Sequence, residues 1–252
     1  MKEQQYDQLK TYIFPDRAAM GAAAGEAAAE ALRAALDAKG EARIIVGSAP
    51  SQDEILGTLA RAEGIDWSRV TVFHMDEYVG LDDSHPASFR AYQKSHFLEW
   101  VTPKVFHGIR GEADDLQAEI ERYTELFNEK PIDLVCMGIG ENGHIAFNDP
   151  PVADFNDPAT IKVVELDAAC RQQQVNDGCF ASFDAVPKFA LSLTCPAMLS
   201  AKVLVCTVPT QLKAAAVKAA LTGPIATSCP ASIIRTHPNA RIYLDAAAAS
   251  LL

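Results

Sequence analysis

The chain alternates short β-branched runs with helix-forming stretches, a pattern that marks a mainly parallel sheet covered on both faces. A long Ala-rich stretch, Ala18 to Ala38, precedes the apolar run Ala42-Arg43-Ile44-Ile45-Val46. Val70-Thr71-Val72-Phe73-His74 and Ile132-Asp133-Leu134-Val135-Cys136 read as further strands, the second preceded by an amphipathic helix from about Asp114 to Glu129. A further helix is expected after Pro86, running to about Trp100. Later strands fall at Ile161 to Val164, Phe189 to Leu193, Lys202 to Cys206 and Arg241 to Leu244, and Gly223-Pro224 stops a helix that runs from about Thr210 to Leu221. The expected fold class is therefore α/β: a Rossmann-like open, mainly parallel sheet with helices on both faces. A chain of 252 residues fills one large core, so residues 1–252 are expected to form a single domain.

Composition narrows the function classes. The formal net charge of −11 disfavours nucleic acid and anionic membrane as partners, because both ask for basic patches. An anionic substrate must then be met by a local site. Glu26, Glu30, Arg33 and Asp37 recur along the Ala-rich stretch, which makes it a soluble helix and not a membrane span. The six cysteines are scattered, with no Cys-x-x-Cys pair and no ligand-like His spacing, so buried free thiols are expected and no metal. Met1 to Lys10 is polar and lacks an apolar run of signal-peptide type, and a cytoplasmic address is expected.

Ligands of open α/β sheets bind outside the carboxyl ends of the strands, and three such loops here are polar or Gly-rich. Gly47-Ser48-Ala49-Pro50-Ser51 leads into a predicted helix and suits an anion cradle, with Ser51 expected as N-cap and Asp53 and Glu54 in the first turn. Met75-Asp76-Glu77-Tyr78 sets two adjacent carboxylates just past a buried strand. In extended backbone their side chains point in opposite directions, so one faces the cleft while the other serves structure.

The third loop, Gly138-Ile139-Gly140-Glu141-Asn142-Gly143, matches a dinucleotide fingerprint, with Glu165 at the distance of a ribose contact. Asn148-Asp149-Pro150-Pro151 would break the helix that a pyrophosphate site needs, so a wide polar loop is expected and no nicotinamide. That loop presents Asn142, His144, Asn148 and Asp149 within a few positions. A histidine beside a carboxylate has the composition of an acid/base unit, and equally that of a histidine bonded to a backbone carbonyl beside a turn-capping aspartate.

Taken together, the loops resemble the glucosamine-6-phosphate deaminase/isomerase family from about Ile44 to the carboxyl end. The resemblance rests on Phe73-His74-Met75-Asp76-Glu77-Tyr78-Val79-Gly80 with His85-Pro86-x-Ser88, and on Gly138 to Asn148. Val186-Pro187-Lys188-x-Ala190-Leu191 and Cys229-Pro230-Ala231-Ser232 add to it. It implies a cofactor-free reaction in which an amino-sugar 6-phosphate opens, isomerises from aldose to ketose and loses ammonia to give fructose 6-phosphate. By family role, His144 assists ring opening, oriented by Asn142 and Asp149, and Asp76 moves a proton between C2 and C1. Gly47, Ser48 and Lys213 fall on the phosphate side. The expected partner is a small sugar phosphate, and a homo-oligomer is compatible with the resemblance.

This chain departs from the family pattern in four places. Asn142 stands where Asp is frequent, and Asp149 where the family has the longer Glu. Val46-Gly47-Ser48-Ala49-Pro50 replaces Thr-Gly-Ser-Thr-Pro, and an Arg common before Val186-Pro187-Lys188 is missing, with Asp177-Gly178 in its place. Arg171 or Arg235 is expected to supply the lost cation. A 6-phosphogluconolactonase-like hydrolase and a non-catalytic sugar-phosphate sensor are the competing readings.

Overall fold

The protein is described over residues 1–252 by a computed structural model. Lys2–Tyr6 (β1) and Leu9–Phe14 (β2) form an antiparallel hairpin turned at Asp7, and the Asp16 carboxylate then accepts the Ala19 amide to start helix α1 (Arg17–Lys39). Gly40, at φ 78°, ends that helix in the left-handed conformation that favours glycine. Small residues on α1 let it lie tightly on α2 (Asp53–Arg61): a β-carbon at Gly21 would stand 2.1 Å from Glu54 Cβ.

Between these helices runs β3 (Ala42–Val46), followed later by β4 (Val70–His74), β5 (Asp76–Tyr78) and the short helix α3 (Phe89–Gln93), which continues as a π-helical turn over Lys94–Leu98. β6 (Val105–His107), α4 (Leu116–Asn128), β7 (Leu134–Met137), β8 (Ile161–Glu165) and α5 (Ala168–Asn176) come next. β9 (Phe189–Leu193), α6 (Cys195–Leu199), β10 (Val203–Val208), α7 (Ala214–Thr222) and β11 (Ala240–Asp245) complete the order.

Eight strands form one sheet in the order β1-β2-β11-β10-β7-β3-β4-β6, parallel throughout except for the β1–β2 hairpin. This is the mainly parallel α/β sheet the alternation predicts. β7, β3 and β4 are neighbours, so the three loops singled out above open at one edge. Two apolar clusters, one containing Ile45, Val135 and Leu204 and the other Ile44, Leu134 and Val205, lie on opposite sides of the sheet, as alternation along the strands requires.

β6, α5 and α6 carry no clear sequence signal, and two larger features likewise go beyond the sequence pattern. Beyond β4 the chain enters a second, antiparallel sheet in the order β5-β9-β8, and β9 contributes Leu191 and Leu193 to the first apolar cluster. The amino-terminal hairpin was also not read as strands. Its outer strand is polar and its residues lie largely in solvent, so no apolar alternation announces it. One local expectation is corrected: Ser51 is not an N-cap. Pro50 already starts a 3-10 turn over Pro50–Gln52, so α2 begins at Asp53 without a side-chain cap, though with Asp53 and Glu54 in its first turn.

Candidate active site

Glycines fix the shape of the loop after β7. Gly143 adopts φ 84° and donates its amide to the Gly140 carbonyl, while the Gly140 amide bonds the His144 carbonyl at 2.9 Å. A β-carbon at Gly140 would lie 2.1 Å from His144 Cε1, so the imidazole rests directly on this backbone. No helix starts here: the loop closes through a bridge between Ile145 and Asn148, as Asp149-Pro150-Pro151 foretold. Glu165 sits on β8 in the second sheet, so the dinucleotide pattern has no ribose-binding partner in the parallel sheet.

Within that loop the side chains form a closed network. His144 Nδ1 lies 2.8 Å from Asn142 Oδ1 and 3.1 Å from Asp149 Oδ1. Both atoms are acceptors, so Nδ1 carries a proton and donates to them. Asn142 Nδ2 in turn donates to Asp149 Oδ1 at 2.9 Å and to Asp167 Oδ2 at 3.2 Å, and the Asp167 amide donates to Asp149 Oδ2. Burial alone would raise the Asp149 pKa, but the bonds from His144, Asn142 and the Asp167 amide outweigh it and hold the carboxyl below its usual range. The shorter Asp149 side chain thus reaches the imidazole.

The adjacent carboxylates separate as the strand geometry requires. Glu77 is fully buried and accepts from the amides of Tyr78, Phe89 and Arg90 and from the Ser88 hydroxyl, fastening the start of α3. Asp76 lines the pocket. Burial, then the charge of Glu77, push its pKa well above the ordinary value, and no hydrogen bond opposes them. A carboxylate raised in this way is a stronger base once it ionises.

Opposite stands the loop after β3. Gly47 and Ser48 line the pocket, and Gln93 Nε2 holds both, through the Gly47 carbonyl at 2.8 Å and Ser48 Oγ at 2.9 Å. Lys213, on a 3-10 turn that begins at Thr210 with φ 78°, is buried, and its Nζ has no hydrogen-bond partner in the protein. Burial lowers its pKa, against the field of Asp177 and Glu141. An ammonium group so placed is a ready partner for an anion.

Asp76, His144, Gly47, Ser48 and Lys213 therefore line one pocket, with Asn142 and Asp149 behind His144. Arg171 and Arg235 do not join them, which corrects the expectation that either replaces a lost cation. Arg171 stacks over Phe183 and donates to the carbonyls of Phe183 and Val186, and Arg235 is tied to the carbonyls of Leu221 and Gly223 and to Asp7. Sequence reasoning missed three pocket amides, Gln52, Gln173 and Gln174. The only signal for the last two is a polar run, Gln172-Gln173-Gln174, on a helix with no apolar stripe.

A protonated-Nδ1 histidine, a basic carboxylate and an unpaired ammonium at the carboxyl edge of a parallel sheet define a protein suited to acid–base chemistry on a small anionic molecule. The chain belongs to the family described as glucosamine-6-phosphate isomerases/6-phosphogluconolactonase, whose sequence model matches residues 15–243. A glucosamine-6-phosphate deaminase of Lactobacillus delbrueckii subsp. bulgaricus is 37% identical over 191 residues, 76% of this chain and 80% of that one. One from Listeria welshimeri is 35% identical over 209 residues, covering 83% and 86%. The solved structure of a monomeric glucosamine-6-phosphate deaminase superposes with a TM-score of 0.88 at 29% identity, over 96% of this chain and 99% of that one. A 6-phosphogluconolactonase from Shewanella baltica shares the fold, with a TM-score of 0.74 at 17% identity over 93% and 96%.

Proposed function

We propose that the protein deaminates and isomerises an amino-sugar 6-phosphate, converting glucosamine 6-phosphate and water to fructose 6-phosphate and ammonia. The observation that carries this reading is that Asp76 and His144 open onto the same pocket as the buried, unpartnered Lys213. Names and identities of the relatives above support the deaminase over the lactonase.

Lys213, with the backbone and hydroxyl of Gly47 and Ser48, takes the phosphate. His144 Nε2 accepts the anomeric hydroxyl proton and returns one to the ring oxygen, and Asn142 and Asp149 stabilise the imidazolium formed in between. Asp76 removes the C2 proton of the open aldehyde and delivers it to C1, leaving an imine at C2. Water adds to that carbon, the C–N bond breaks and ammonia departs. Ring opening and isomerisation are proton shifts within the sugar, and in the last step the water oxygen replaces nitrogen at C2, so no external oxidant or reductant is needed.

No helix is long and apolar enough to cross a membrane, and all six cysteines are free, which supports a reducing cytoplasmic compartment. The test is ammonia release from a panel of 6-phosphorylated amino sugars, with Asp76→Asn as control. Release that falls by about a thousandfold in the variant is expected for loss of a positioned base. No release from any amino sugar, with hydrolysis of 6-phosphogluconolactone instead, would transfer the protein to the lactonase branch.

A further inference from the structure

We propose that Gln174 is a substrate-binding residue whose amide Nε2 donates to a phosphoryl oxygen beside Lys213, held in that orientation by the hydroxyl of Tyr78. The inference rests on the sugar-phosphate reading above and assigns it a specificity residue.

Three observations carry it. Tyr78 is fully buried and its hydroxyl makes one bond, to Gln174 Oε1 at 2.8 Å. A buried phenol must place its proton on an acceptor, so this bond decides which end of the amide is oxygen. Gln174 Nε2 then has two protons and no protein acceptor, yet it is not among the enclosed unpartnered atoms, and the residue lines the pocket. Its donors open onto the ligand space.

Helical spacing directs that amide to the phosphate end. Cys170, Gln173, Gln174 and Asp177 fall at i, i+3, i+4 and i+7, one stripe of α5 and its cap. Gln173, Gln174 and Lys213 line the same pocket, and Asp177 at the end of the stripe acts on the Lys213 charge, so Gln174 and the ammonium face one ligand space. The neighbouring Gln173 is already committed: its Oε1 accepts the Glu141 amide at 2.8 Å and its Nε2 donates to Asp177 Oδ2 at 3.1 Å. Arg171 and Arg235 are committed to carbonyls elsewhere, as described above. A phosphate here meets one cation, Lys213, and a neutral amide.

The role of Tyr78 follows from strand geometry. Asp76 and Tyr78 are two residues apart on β5 and point to the same side. The strand that carries the proposed base therefore also aims the phosphate donor.

Calorimetric binding of glucosamine 6-phosphate, 6-phosphogluconate and unphosphorylated glucosamine would be compared for wild type, Gln174→Ala, Gln174→Glu and Tyr78→Phe, alongside ammonia release. Kd for both phosphorylated ligands is expected to rise roughly tenfold in Gln174→Ala and further in Gln174→Glu, with glucosamine binding unchanged. The double variant Tyr78→Phe/Gln174→Ala should bind no worse than Gln174→Ala, because the hydroxyl acts through the amide. Unchanged Kd for the phosphorylated ligands in both Gln174 variants, or no binding of either by the wild type, overturns the inference. Absence of ammonia release with phosphate-dependent binding intact overturns the deaminase reading and leaves Gln174 in place.

Discussion

Gly140 and His144 occupy space that only a glycine leaves free: a β-carbon on the first would stand 2.1 to 2.3 Å from Cε1, Nδ1 and Nε2 of the second. The imidazole is thus fixed from below by backbone and from one edge by Asn142 and Asp149. Gly140→Ala must swing the ring away from those acceptors. The expected result is a fall in kcat of about a hundredfold, the scale of a misplaced catalytic group, with a largely unchanged circular dichroism spectrum. Full activity in this variant would show that His144 does not act from the position it holds.

Asp149 makes a second prediction on the acid side. Its folded-state pKa is below the ordinary 3.8, so the unfolded chain binds the extra proton and the bonds to His144, Asn142 and Asp167 stabilise the fold above that value. Stability is lost as pH falls through the lower, folded value. Denaturant midpoints between pH 5 and pH 2 should fall less steeply in Asp149→Asn than in wild type. Parallel slopes would mean the carboxylate does not carry this network.

Loop chemistry was legible because it is local. Asp76 and Glu77 are adjacent, Asn142 to Asp149 span one loop, and both follow apolar runs that could only be interior strands. The opposite facing of Asp76 and Glu77 follows from strand alternation alone. What was not legible depends on distant pairings. β5, β8 and β9 meet in an antiparallel sheet from widely separated parts of the chain, and nothing in each run names its partner. Arg171 and Arg235 were expected at the anion site by charge, yet their guanidinium groups cap carbonyls, a use of arginine that composition does not reveal.

Lys213 is predicted to trade stability for binding. Its ammonium is buried without a protein acceptor, so Lys213→Met removes a desolvated charge and keeps the stem's packing. Tm without ligand should rise by about 2–4 °C, equivalent to ~1 kcal/mol for a domain of this size. KM for glucosamine 6-phosphate should rise at least about tenfold, the loss expected for one charge-assisted bond. A lower Tm with unchanged KM would remove Lys213 from the phosphate site.

Glu77 should behave as a structural carboxylate. It accepts three backbone amides and the Ser88 hydroxyl at 2.8 to 3.0 Å, with Arg90 Nε at 3.6 Å. Glu77→Gln turns an NH2 group toward donors that need an acceptor, at a cost of about 3 kcal/mol for a broken buried network. Urea unfolding measures it. A cost under ~1 kcal/mol would mean that the start of α3 holds itself without the carboxylate.

Asp76 gives the opposite pH signature to Asp149, and the contrast separates the two roles. Burial and the charge of Glu77 raise its folded-state pKa above the ordinary 3.8, so between those two values the folded chain holds a proton that the unfolded chain has lost. Stability contributed by the neutral acid is complete below 3.8 and declines as pH rises toward the folded value. Asp76→Asn cannot ionise, so the variant should match wild type at pH 3.5 and exceed it in urea midpoint at pH 8. The same elevation sets the acid limb of kcat/KM above the ordinary carboxylate range, because the free enzyme must first deprotonate Asp76 to use it as a base. An acid limb near pH 4, together with identical stability profiles for wild type and Asp76→Asn, would mean that Asp76 ionises like a solvent-exposed aspartate and is not the perturbed base this pocket encloses.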